Sequence, residues 1–145
     1  MARAFVSLTV LALALVATPV RAAFHTFRID QVYSNASGTA QYVVMRESTG
    51  SNGENFWAGN RLETTAMDGT KQQFTFQSNL PSGSTASHSV LIATASFAAL
   101  NVVAPDYIVP DHFIPTGGGG KLDYASGTDE IALPALPADG VTAID

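Results

Sequence analysis

Cysteine is absent from this 145-residue chain, which excludes disulfide bonds, thiolate nucleophiles and Cys-ligated zinc. Positive charge is scarce: seven Lys and Arg stand against twelve Asp and Glu, for a formal net charge of −5 at pH 7. Nucleic acid and anionic lipid both reward clustered basic residues. Arg28, Arg46, Arg61, Lys71 and Lys121 are scattered, so neither partner is expected. Long apolar runs are lacking too. The uncharged stretch 5–17 falls short of the roughly 20 residues that a membrane-spanning helix needs.

That stretch has another use. A short basic start at residues 1–4 precedes it, and Pro19 and small residues ending in Ala22 and Ala23 follow. This is the layout of a secretory signal peptide, with cleavage expected after Ala22 and a cut after Ala23 as the alternative. The predicted domains are therefore a leader over 1–22 and one folded unit over 23–145. Removing Arg3 and Arg21 takes the net charge from −5 to about −7. An exported, cysteine-free chain of this size must hold together by packing alone, and no stable membrane insertion is expected after cleavage.

The mature chain is written in β-strand code. Gln72, Phe74 and Phe76 alternate with Gln73, Thr75 and Gln77, the period of two that marks a half-buried strand. A Pro-Ser-Gly turn follows, and then Ser89 to Ala93, apolar on both faces as in a strand covered on both sides. Upstream, Phe27, Ile29 and Tyr33 outline a first strand beginning at Phe24, and residues 42–45 a second, again apolar on both faces. Residues 48–55 read as a polar loop. Phe56-Trp57 and residues 62–65 make a third strand bent near Gly59, and Asp68-Gly69 signals a hairpin. A short helix over 94–100, capped by Thr94 or Ser96, is the only helical pattern. Pro105, Pro110 and Pro115 keep the next segment extended or looped. The glycines of 116–121 predict a flexible loop. Strands at 122–124, 129–133 and 141–144 close the sequence, the last of them broken off at Asp145 as in a fragment or a sandwich lacking its final strand. Seven or so short, regularly spaced strands predict an all-β, antiparallel sandwich.

Ile29-Asp30-Gln31-Val32, residues 41–45 and Trp57 to Leu62 are similar, in that order, to the first three strands of a known family, and the chain resembles the lamin-tail domain. Phe74 to Ala93 and Asp129 to Asp145 look like its later strand pairs. Gln31 and Val44 stand where the family has acids, and Asn60 where it has tryptophan. The resemblance implies an immunoglobulin-like β-sandwich and an accessory or interaction role, with no catalytic motif to carry over.

Site chemistry is sparse. The Gly-rich 116–121 segment lacks phosphate-loop spacing, with Leu122 where Ser or Thr belongs. Asp106, Asp111, His112 and Asp123 form the nearest approach to a metal-ligand set, from which a metal-assisted hydrolase is the alternative reading. Cleavage after Ala22 places His25 third, where a terminal amine, two amides and an imidazole suit Cu²⁺ or Ni²⁺. Glu47 and Glu54 could be paired as glycosidase carboxylates, but a solvated position at a loop rim is expected for both. His88 has no visible partner, and Trp57 is expected to be buried. The favoured expectation is a secreted or periplasmic, non-catalytic module without a cofactor. It would bind an unidentified protein or cell-envelope ligand through the loops at 48–55 and 105–120.

Overall fold

A computed structural model describes residues 26–145; the predicted leader, its cleavage site and His25 lie outside the described residues. Eight strands form two four-stranded sheets around a shared core. The first sheet orders β1 (Phe27–Ser34), β2 (Gln41–Glu47), β5 (Ser89–Thr94) and β6 (Tyr107–Val109). The second orders β4 (Lys71–Thr75), β3 (Arg61–Thr65), β7 (Gly117–Tyr124) and β8 (Asp129–Ala135). The expected β-sandwich is present, antiparallel except where β5 and β6 run parallel. Among the described residues no helix is long and apolar enough to cross a membrane.

Alternation governs the inner faces, and it slips once. Phe27 and Ile29 lean inward, the pairing with β2 shifts between Ile29 and Gln31, and Val32 and Ser34 then face the core. A bulge adds one residue and so reverses the sides of everything after it. Tyr33 consequently points outward, opposite the side predicted from its spacing to Ile29. Phe74 and Phe76 point inward as predicted, with Phe76 fully buried.

Trp57 is 0 % exposed and comes from a turn, since β3 starts only at Arg61. Its ring lies about 5 Å from those of Phe27 and Phe76, 5.2 Å from Tyr124 and 5.6 Å from Tyr107. Four segments from both sheets thereby meet on one side chain. The Tyr124 hydroxyl, buried in this cluster, has no hydrogen-bond partner among the described residues. Burial, with Tyr107 and Glu54 nearby, pushes it far above the usual phenol range.

Two further stretches depart from the predicted elements, as Phe56-Trp57 does from the predicted third strand. Residues 117–120, expected to be a flexible loop, are the first half of β7. A Cβ on Gly118 would lie 2.7 Å from the Ala135 nitrogen, and one on Gly120 2.5 Å from the Thr65 carbonyl. Glycine is there because neighbouring backbones come too close for a side chain, and Gly118 and Gly119 have positive φ at a bulge. Residues 141–144, expected to be a strand, make a single bridge between Ile144 and Val32. The Asp139 carboxylate takes the N–H groups of Val141 and Thr142, and this local turn competes with ladder pairing. The helix is short, Ala95–Ala98, capped by Thr94, whose hydroxyl accepts from Phe97 N–H.

Gly120→Ala is expected to lose about 2 kcal/mol or more in urea unfolding. Gly117→Ala, with nothing within 4 Å and an ordinary φ, should stay within about 0.5 kcal/mol of wild type. Equal losses would refute the close-approach account. Tyr124→Phe should leave stability unchanged or raise it by up to about 1 kcal/mol, because the hydroxyl it removes is buried and unpaired. A clear loss by the same assay would mean that the hydroxyl is bonded.

Candidate functional site

The outer face of the first sheet carries the most distinctive surface. Cross-strand register aligns Gln31, Val44 and Leu91 in one row and Tyr33, Tyr42 and Ala93 in the next. Tyr33 stacks on Tyr42 with ring centres 5.0 Å apart, and Phe97 from the short helix meets Tyr42 edge-on at 5.3 Å. The chain then returns over the sheet, held by two bonds to one residue. Asp106 N–H donates to the Leu91 carbonyl, and Leu91 N–H donates to the Asp106 carboxylate, both at 2.8 Å. The result is an open groove of about 510 Å³ lined by Tyr42, Val44, Leu91, Phe97, Val103 and Asp106, with Gln31 and Ser89 completing its wall.

The groove is apolar below and polar at its edge. Burial pushes the Tyr42 hydroxyl above its ordinary value, and the nearby Tyr33 and Asp145 act in the same direction. Val103, on the groove wall, is 50 % exposed, and Ile108 on β6 is 53 % exposed. Exposed apolar surface of this kind commonly marks a contact site. Its signal was present in the sequence. Strands β2 and β5 are apolar on both faces, which predicted cover on both sides; the sandwich covers one, and the helix and residues 99–106 cover the other only in part.

The predicted metal-ligand residues are employed separately. Asp106 fastens the groove wall. Asp111 accepts from the Ser96 hydroxyl and backbone N–H, which together with neighbouring His112 hold its carboxyl below the usual range against the opposing effect of burial. His112 adopts positive φ, donates its N–H to the Gly38 carbonyl at 3.0 Å and accepts from Gln72 through its own carbonyl at 2.8 Å. Asp123 accepts from Gly127 N–H. Among the described residues, no three His, Asp or Glu side chains are grouped so that they could hold a metal ion. Lys121, the residue after the four glycines, is paired with Glu130 at 2.6 Å. His88 is exposed, with Nδ1 3.4 Å from the Ala86 carbonyl.

Glu47 corrects the expectation of a solvated rim. It is 2 % exposed, and its carboxylate accepts from the N–H groups of Thr49, Gly50 and Ser87 and from the Thr49 hydroxyl. Burial is the largest single influence and opposes ionisation. These donors together outweigh it and bring the carboxyl well below the ordinary range. Glu47 thus ties the start of the 48–55 loop to the turn before β5. Glu54, the other imagined glycosidase acid, is half-buried; one carboxylate oxygen is buried without a partner among the described residues, and its backbone carbonyl receives the Trp57 indole N–H.

Because the folded chain favours ionised Glu47 more than the unfolded chain does, this contribution is complete above the unfolded carboxyl value of about 4.3. It is lost as pH falls below that value toward the depressed folded one. Glu47→Gln should lower the urea midpoint at neutral pH and flatten its decline on acidification. Superimposable acid limbs for variant and wild type would contradict the assignment.

No protein-family model matches the chain, and no curated protein matches it significantly.

Proposed function

We propose that the chain is exported and serves, in the periplasm or outside the cell, as a non-catalytic module that binds a cell-envelope protein through the groove over Val44 and Leu91. The observation that carries this reading is the apolar outer face of the first sheet. The exposed face of an antiparallel sheet is ordinarily polar, whereas here Tyr42, Val44 and Leu91 line an open groove bordered by Val103. Such a surface suits an apolar side chain on an extended protein segment. The Asp106 oxygen not engaged by Leu91 can take a donor from that segment.

Export is supported by the basic, apolar and small-residue sequence of residues 1–22. The interaction role is supported by the likeness of the strand motifs to lamin-tail domains, a likeness of fold rather than of site. The hydrolase alternative lacks comparable support, since Asp106 lines the groove without Asp111, His112 or Asp123.

A photocrosslinking residue at Val103 in the full-length chain, expressed in its native envelope, should capture one defined protein. The same probe at Ala132, exposed on the other sheet, should not, and Leu91→Lys should abolish capture from Val103. Equal capture from both positions, or a chain retained in the cytosol with residues 1–22 uncleaved, would sink the proposal.

A further inference from the structure

A sandwich has four sheet edges, and unpaired backbone at an edge invites another strand. Three of these edges are protected. Strand β1 is bulged near Asp30, its Ile29 N–H is taken by Asp129 at 2.6 Å, and Ile144 bridges Val32. Strand β8 carries Pro134 and two acids. Strand β6 is three residues long, between Pro105 and Pro110. Strand β4 has none of these devices. It runs Lys-Gln-Gln-Phe-Thr in unbroken register with β3, and the ammonium of Lys71, its one charge, is paired with Glu63 on its own neighbour at 2.6 Å.

The direction of its free groups follows from the ladder. Thr70 accepts from Ala66 N–H, and Phe76 N–H donates to Asn60. Alternate residues of an antiparallel strand bond to the same neighbour, so Gln72 and Phe74 face β3. The backbone groups of Lys71, Gln73 and Thr75 face away; of these, the Thr75 carbonyl already accepts from the Gln77 side chain.

We propose that β4 is a homodimerisation strand, pairing antiparallel with β4 of a second copy about a two-fold axis at Gln73. The two second sheets then form one continuous eight-stranded sheet. The strand is self-complementary in this register. Gln73 meets Gln73, and each Lys71 stands opposite a Thr75, so no like charges face one another. About six backbone hydrogen bonds close across the axis. An isologous contact of this kind also closes on itself and leaves no free β4 edge for a third chain.

Sedimentation equilibrium of the purified protein should show a reversible, concentration-dependent dimer. Gln73→Pro removes an N–H that β3 does not use, a position where edge strands tolerate proline, and should weaken dimerisation by about tenfold or more. Gln73→Lys sets like charges face to face and should do the same while leaving the melting of the monomer unchanged; it carries the test if the proline variant fails to fold. Wild-type protein that stays monomeric up to near-millimolar concentration overturns the proposal, as does a Gln73→Lys protein that dimerises like wild type.

Discussion

The meeting of aromatic rings on Trp57 is the contact on which the rest of the sandwich depends. Immunoglobulin domains commonly lay a core tryptophan against a disulfide between the sheets. This chain has no cysteine, and Phe27, Phe76, Tyr107 and Tyr124 take up that role around Trp57. Each edge-on or offset pair adds about 0.5–1.5 kcal/mol beyond the area it buries, and the pairs converge on one ring. The indole N–H is satisfied by the Glu54 carbonyl at 3.1 Å, which fixes the turn that delivers Trp57 to the core. Because the rings come from β1, β6, β7 and the segment after β4, holding them together also sets how the two sheets lie against each other.

Polar burial does the finer positioning. Gln41 is fully buried in β2, and its amide is fully engaged. Its nitrogen donates to the Ser34 hydroxyl and the Ile114 carbonyl, and its oxygen accepts from Ile114 N–H. An amide buried without partners is costly, whereas one with every bond made fixes a single arrangement. Gln41 thereby pins the irregular 110–116 segment to the first sheet. Thr64 holds the same segment to the second sheet through the Phe113 carbonyl. The glycines of β7 begin where this double fastening ends, so their close backbone contacts with Thr65 and Ala135 are a consequence of it. Glu47 performs the equivalent task at the other end of β2.

What could be read from the sequence was what depends on near neighbours. The alternation of β4, the Asp68-Gly69 hairpin and the Thr94 cap are local, and each is present. Apart from residues 141–144, turned aside by nearby Asp139, the misreadings concern residues whose partners are distant in the chain. A bulge near Asp30 follows from pairing with β2, and no periodicity within β1 announces it. Glycines required by Ala135 and Thr65 look the same in sequence as glycines in a loose loop. Glu47 read as a solvated residue because residue type reports average burial, while one of the bonds that admit it comes from Ser87, 40 positions away. The groove was half legible. Apolar residues on both faces of β2 and β5 pointed to cover on two sides, but only the tertiary structure shows the second cover to be partial.

The two surfaces singled out for contact lie on different sheets, and this separation has a consequence. A dimer joined through β4 extends the second sheet and leaves the outer face of the first sheet untouched in both copies. Each dimer then presents two grooves at a fixed spacing. A single shallow groove of this kind binds weakly, because few side chains are desolvated in it. Two grooves held on one rigid body make the second engagement intramolecular, raising avidity by as much as about 10²–10⁴ without a new contact where the partner is itself repeated. Envelope components arrayed on a surface meet that condition. On the two proposals together, a modest groove and an unguarded edge strand, each weak alone, would act as physically compatible parts of one binding device.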